Sequence, residues 1–117
     1  MPSIMLVEDD STMRSVLQTL LEIEGYTVTS DLGQGGAQSV VNAMRENQPD
    51  VVLLDVHLRQ ESGLDVLKIV RADPGLRRVR VVMTSGMDRK QECLTAGADA
   101  FLLKPYMPDE LLTLIKV

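Results

Sequence analysis

Val51-Val52-Leu53-Leu54-Asp55 is the stretch that decides the fold, because four aliphatic residues run straight into a single carboxylate. A continuous apolar run bounded by polar residues reads as a strand buried on both faces, the kind that sits at the centre of a parallel sheet. Ile4-Met5-Leu6-Val7 repeats the pattern and runs into Glu8, Asp9 and Asp10. In open α/β sheets the ligand crevice lies beyond the carboxyl ends of the strands. Acids gathered there repel one another and resist desolvation, so a hard divalent cation with oxygen ligands is the natural neutralising partner. The two stretches therefore predict an acidic metal pocket.

Outward from these strands, short β-type runs alternate with longer helical patterns, with no low-complexity segment and no linker. Met13, Val16, Leu17, Leu20 and Leu21 recur at helical spacing, and Gly25 is placed to end that helix. Tyr26 to Ser30 alternates as a strand. Past Gly33, Gly35 and Gly36, residues Ala37, Val40, Val41 and Met44 make one apolar helical face, which Pro49 closes. Leu64, Leu67, Ile69 and Val70 stripe the helix after the central strand, and it must stop before Pro74. Val79 to Met83 reads as a fourth buried strand. Glu92, Cys93, Leu94 and Ala96 form a short helix ending at Gly97, Ala100 to Leu103 a fifth strand, and Asp109 to Ile115 a last helix.

About five β-α units in strict alternation argue for a parallel sheet with helices on both faces. The predicted fold is α/β, a flavodoxin-like (βα)5 doubly wound sheet of strand order 2-1-3-4-5, which sets the first and third strands side by side. Glu8, Asp9 and Asp55 then face one crevice. The fourth strand ends Met83-Thr84-Ser85-Gly86 and the fifth ends Leu103-Lys104-Pro105, so a hydroxyl and an ammonium arrive at the same edge. Acids for a metal, one acid free as nucleophile, a hydroxyl and a lysine suit the holding of a phosphoryl group. The metal and Lys104 would offset charge on its equatorial oxygens, leaving Asp55 in line to attack.

Composition bounds the rest. A length of 117 residues at 44% hydrophobic content suits one domain, residues 1–117, and leaves no room for a second. The net charge of −5 disfavours direct contact with nucleic acid or an anionic membrane, which demand clustered positive charge. Cys93 is the single cysteine, so neither an internal disulfide nor a cysteine zinc cluster can form, and a reducing cytoplasmic home is expected. No basic segment with a signal-type core follows Met1, and charges interrupt every apolar run well before the roughly 18 residues of a membrane span.

With those residues in hand, the chain resembles the response-regulator receiver domains of two-component signalling over nearly its whole length. The family's ordered signature is an acid pair after the first strand, a phosphoacceptor aspartate after the third, Thr or Ser after the fourth and Lys-Pro after the fifth. Glu8-Asp9, Asp55, Thr84 and Lys104-Pro105 stand in those places. The resemblance implies a Mg²⁺ cofactor coordinated directly by Asp9, largely through water by Glu8, and by the backbone carbonyl of His57, with Asp55 in the same metal set. It implies Asp55 as the phosphoacceptor, Thr84 and Lys104 as its helpers, and Thr84 with Phe101 as the switch pair. The implied partners are a sensor histidine kinase or histidine phosphotransfer protein docking on the first helix around Met13 to Leu21, and a downstream effector or output domain. The surface of the fourth helix, fifth strand and last helix would carry the output, and a phosphorylation-dependent dimer is compatible with it. Such a domain catalyses only its own phosphorylation and dephosphorylation.

The chain departs from the family at one place. Proline usually stands four residues after the phosphoacceptor, and here Arg59 does, within Leu58-Arg59-Gln60-Glu61-Ser62-Gly63. The loop is thus expected to be less rigid, with Arg59 a candidate influence on acyl phosphate lifetime or kinase choice.

Blander readings narrow the set. Asp10 or Ser11 is expected to cap the first helix, which removes Asp10 from the metal ligands. His57 is the only histidine, which argues against histidine metal sites and triads, and its side chain is expected to be exposed. Cys93 reads as a small hydrophobe, and Met5, Met13, Met44 and Met83 as packing residues. The glycines at 33, 35 and 36 lack the G-x-G-x-x-G spacing of dinucleotide sites, and acids at the first loop would repel a flavin phosphate. Two alternatives stay open: a degenerate receiver that binds partners without phosphorylation, and an aspartate-nucleophile phosphatase of the haloacid dehalogenase type, whose D-x-D motif would need an acid where His57 stands. The end at Lys116-Val117, without a glycine cap, fits either a stand-alone regulator or a receiver separated from its output domain.

Overall fold

The computed structural model describes residues 2–31, 35–59 and 61–115. Gly33, Gln60, Lys116 and Val117 lie outside the described residues. Strands and helices alternate without exception: β1 (Ser3–Val7), α1 (Ser11–Ile23), β2 (Thr27–Asp31), α2 (Ala37–Asn47), β3 (Val51–Asp55), α3 (Gly63–Ala72), β4 (Arg80–Ser85), α4 (Lys90–Thr95), β5 (Ala100–Leu103) and α5 (Pro108–Ile115). All neighbouring strands pair in parallel, in the order β2-β1-β3-β4-β5. The flavodoxin-like topology expected from the alternation is the one observed.

The aliphatic runs behave as their composition demands. Every residue of β3 is buried, and the sheet divides two apolar layers by simple alternation. Met5, Val7, Val52, Leu54, Val81 and Met83 pack with Val40, Val41 and Met44 of α2 and Val66, Leu67 and Val70 of α3. Ile4, Leu6, Val51, Leu53, Val82 and Leu102 pack with Leu17 and Leu21 of α1 and Leu111 and Ile115 of α5. Each such fully buried aliphatic side chain contributes roughly 1.5–3 kcal/mol.

Local chemistry sets the element ends. The Asp10 carboxylate accepts the Met13 N–H and caps α1, as expected, and after the last turn Gly25 adopts a φ of +96° that side chains with a Cβ rarely reach. Ser62 caps α3 through Leu64 N–H. Pro108 opens α5, where its missing N–H costs nothing.

Some details differ from the sequence reading. β4 runs to Ser85 instead of ending at Met83, because Thr84 pairs with Asp55 of β3 and Ser85 with Leu103 of β5. β2 begins at Thr27 and extends to Asp31 alongside Val7. Val16, counted in the apolar face of α1, is 58% exposed, since only Leu17 and Leu21 of that helix reach full burial against the sheet.

Arg71 at the end of α3 ties the far edge of the sheet together. Its guanidinium donates to the carbonyls of Gly97, Arg77 and Val79 and to the Asp99 carboxylate, and that carboxylate also accepts the N–H of Val81.

Candidate functional site

β1 and β3 are adjacent at the point where strand order reverses, so their carboxyl ends open a crevice between them. Asp55 is the last residue of β3 and Glu8 the first beyond β1, whose Val7 pairs with Leu54. Thr84 lies beside Asp55 in β4, and Lys104 follows Leu103, its N–H bonded to the Ser85 carbonyl at 2.8 Å. Alternation adds a constraint that the sequence already held: Glu8, Asp55, Thr84 and Lys104 each stand two residues past a side chain of the α1/α5 layer, namely Leu6, Leu53, Val82 and Leu102. One parity thus sends all four side chains to one side of the sheet edge.

The groups that meet there are buried and charged. Glu8 and Asp55 are only 5% and 7% exposed, and Thr84 is buried as well. The Lys104 ammonium donates to Asp55 Oδ2 at 2.8 Å and to Glu8 Oε1 at 2.9 Å. The other Asp55 oxygen accepts the His57 N–H at 3.1 Å. Burial raises the Glu8 carboxyl above its usual range, with the Lys104 hydrogen bond opposing and the Asp55 charge reinforcing that rise. For Lys104, burial pulls the ammonium down, but the hydrogen bonds to Asp55 and Glu8 outweigh it and the net direction is upward. Arg14 Nη1 steadies the first loop by donating to the Glu8 carbonyl at 2.8 Å.

Glu8, Asp9 and Asp55 each turn one carboxylate oxygen to within 4.8 Å of the others. An all-oxygen set of three acids, two of them nearly dehydrated, fits a hard divalent cation. His57 faces Ser62 across a single antiparallel bridge whose bonds run from Gly63 N–H to Val56 and from Leu58 N–H to Glu61. His57 is therefore at a non-hydrogen-bonded position, and Ser62 does not consume its carbonyl. Its side chain is exposed, as expected.

The loop after β3 has other anchors in place of a proline. Besides that bridge, the Glu61 carboxylate accepts the Ala37 N–H at 3.3 Å and caps α2, whose own cap residue, Gly36, has no side chain to do so. Gly63 packs so closely under the loop that a Cβ would stand 2.1 Å from the Asp55 carbonyl oxygen. Arg59, on the rim, reaches Asp9 with Nε 3.8 Å from Oδ2. Phe101 is half-buried and packs with the α2/α3 layer, in register with Met83.

Arg14, Gly63 and Tyr106 were not singled out from the sequence. Tyr106 follows Lys104-Pro105, and its hydroxyl is buried without a hydrogen-bond partner among the described residues. Burial pushes its phenol up to about 12. Only the parity rule above carried a readable signal, and it does not extend to these three.

The family described as response regulator receiver domain matches residues 4–116. The chain belongs to that family. Among similar proteins, the DNA-binding response regulator MtrA of Mycolicibacterium paratuberculosis is 34% identical over 113 residues, covering 97% of this chain and 49% of the relative. A nitrate/nitrite response regulator protein homolog of Haemophilus influenzae is 34% identical over 117 residues, 97% of this chain and 54% of that protein. The chain thus spans about half the length of these relatives. The receiver domain of sensor histidine kinase PA1611 from Pseudomonas aeruginosa, solved with a magnesium ion coordinated in its active-site cleft, superposes with a TM-score of 0.82 at 28% identity, over 96% of this receiver and 92% of that chain. This receiver is thus a response-regulator domain, and its acid cluster fits a phosphorylation site that works with Mg²⁺. No helix among the described residues is long and apolar enough to cross a membrane.

Proposed function

We propose that this receiver accepts a phosphoryl group on Asp55 from the phosphohistidine of a sensor histidine kinase or histidine phosphotransfer protein, and that the acyl phosphate switches partner binding. The carrying observation is the convergence of Glu8, Asp9 and Asp55 on one another with Lys104 bonded to the inner two. In the transfer, an Asp55 carboxylate oxygen attacks phosphorus, the P–N bond breaks, and the leaving imidazole nitrogen keeps the electron pair and takes up a proton. Glu8, Asp9, Asp55 and the His57 carbonyl would hold Mg²⁺, which when bound supplies positive charge to the phosphoryl oxygens. Lys104, bonded to Asp55, would trade that bond for one to a phosphoryl oxygen, and Thr84, in register with Asp55, would donate its hydroxyl to another.

Thr84 and Phe101 would transmit the change to α4, β5 and α5, where Leu94 and Leu103 are exposed, with Met87 and Met107 exposed in the segments that lead into α4 and α5. That face would meet an effector, an output domain or a second phosphorylated copy. The kinase side would dock on α1, where Val16 and Ile23 are exposed beside an apolar pocket of about 210 Å³ lined by Leu17, Leu20, Pro105 and Tyr106. A cytoplasmic setting suits such partners, and the DNA-binding names among the relatives suggest an output domain that binds DNA. Against a phosphatase stands His57 in the second position of D-x-D; against a degenerate receiver stands the complete acid, hydroxyl and lysine set.

Incubation with acetyl phosphate and Mg²⁺ should add the mass of one phosphoryl group, and Asp55→Asn should abolish the gain. Catalytic turnover of phosphoesters would favour the phosphatase. Indifference to both acetyl phosphate and Mg²⁺-dependent beryllium fluoride would favour the degenerate receiver.

A further inference from the structure

The three site acids divide between two cations. Lys104 binds the buried Glu8 and Asp55, and Arg59 faces the outer acid, Asp9, from the rim of the β3–α3 loop. The loop that carries this guanidinium is closed by the Leu58 N–H to Glu61 carbonyl bond and by the Glu61 cap on α2. Asp9 is 18% exposed and Arg59 68% exposed, so this is the one site acid whose counter-ion can leave by a side-chain rotation. A separation of 3.8 Å is well inside the roughly 8–10 Å over which salt screens charge, so the two groups interact at ordinary ionic strength.

We infer that Arg59 is a built-in competitor for the divalent cation, pairing with Asp9 in the metal-free receiver and giving way when the ion binds. The argument rests on the metal site of the proposed function. A cation entering among Glu8, Asp9 and Asp55 needs the Asp9 oxygens that Arg59 faces, and the fixed positive charge of Arg59 repels it. Arginine stays protonated at all accessible pH, so the competition is constant and can be relieved only by movement of the side chain. Its effect is to hold the site's affinity below what three carboxylates would otherwise reach, making occupancy respond to the ion concentration. Arg59 is thus a positioning residue for Asp9, acting on metal affinity.

Calorimetric titration of the native chain, Arg59→Ala and Arg59→Lys with MgCl₂ tests this. Removal of the charge should tighten Mg²⁺ about two- to fivefold, the size appropriate to an exposed ion pair, while Arg59→Lys should stay within about twofold of native. In parallel, the ¹⁵N signal of the Arg59 Nε–H should shift on Mg²⁺ addition with the same midpoint as the heat. Unchanged or weakened binding in Arg59→Ala, or an Arg59 signal blind to Mg²⁺, overturns the inference while leaving the metal site standing. A native chain that takes up no Mg²⁺ and titrates like Asp9→Asn overturns both.

Discussion

Lys104 and Asp55 share a 2.8 Å hydrogen bond across 49 residues of sequence, and the same ammonium holds Glu8. Lysine thereby serves as the resident counter-ion of two buried acids whose like charges repel each other. Lys104→Met removes it, and breaking a charged pair in partly buried surroundings should cost about 1–3 kcal/mol at neutral pH, below the full penalty for a deeply buried pair because the lysine side chain is 23% exposed. The Glu8 carboxyl is raised, chiefly by burial, so its protonated form is the one folding favours. The stability it contributes is complete below the unfolded value of 4.5 and is lost as pH climbs through the folded one. The Lys104→Met deficit should therefore shrink in acid, and Mg²⁺ should offset part of it near neutrality. Urea midpoints with and without Mg²⁺, at pH 4.5 and 7, check both statements.

Gly63→Ala should destabilise the fold by about 2 kcal/mol or more, since the added Cβ meets the Asp55 carbonyl oxygen and backbone cannot retreat as a side-chain tip does. Phosphorylation by acetyl phosphate should slow in the folded fraction, because the clash pushes on the residue that carries the carboxylate. A Gly63→Ala protein with native denaturation midpoint would contradict the packing described.

Arg71→Ala should cost about 2–3 kcal/mol, as one guanidinium satisfies three carbonyls and the Asp99 carboxylate. Lysine, with a point charge and no fork, should recover only a minor part. The pair Arg89–Glu92 provides the contrast: Arg89→Ala should leave the denaturation midpoint close to native, because solvent screens the pair. Chemical denaturation of the three variants decides it.

Tyr106 should titrate at about 12 in the folded protein, against an ordinary value of 10. Its neutral phenol is the form that folding prefers, so its contribution is intact below pH 10 and disappears between pH 10 and about 12. Absorbance near 295 nm should show a late phenolate step that is missing from Tyr106→Phe. A native spectrum without that step would show the ring to be more hydrated than its burial implies.

Most of the fold, and the convergence of the candidate site residues, was legible because each rested on a local rule. Aliphatic runs such as Val51 to Leu54 can only be buried strands, strict alternation leaves few topologies, and acids at the ends of adjacent central strands must share a crevice. What escaped depends on contacts between distant segments. The extension of β4 through Ser85 follows from pairing partners on both sides, not from its own composition. The exposure of Val16 reflects how α1 rolls on the sheet. The Arg59 loop, expected to be less rigid for want of a proline, has anchors in the Glu61 bond to α2, elsewhere in the chain, and in the His57–Ser62 bridge. Neither Tyr106 nor the fourfold grip of Arg71 has any signature within a short window.

Asp55 and Thr84 occupy one rung of the sheet ladder, so the interval between carboxylate and hydroxyl is ruled by the roughly 4.8 Å spacing of hydrogen-bonded strands. That interval belongs to the peptide units and is indifferent to which side chains decorate the loops. For the phosphotransfer proposed above, an engineer who wants a longer or shorter-lived state therefore has no dial on the ruler itself. The adjustable parts are side chains outside the ladder, such as Arg59 beside Asp9, and exchanging them should alter the timing of the proposed reaction while leaving that frame in place.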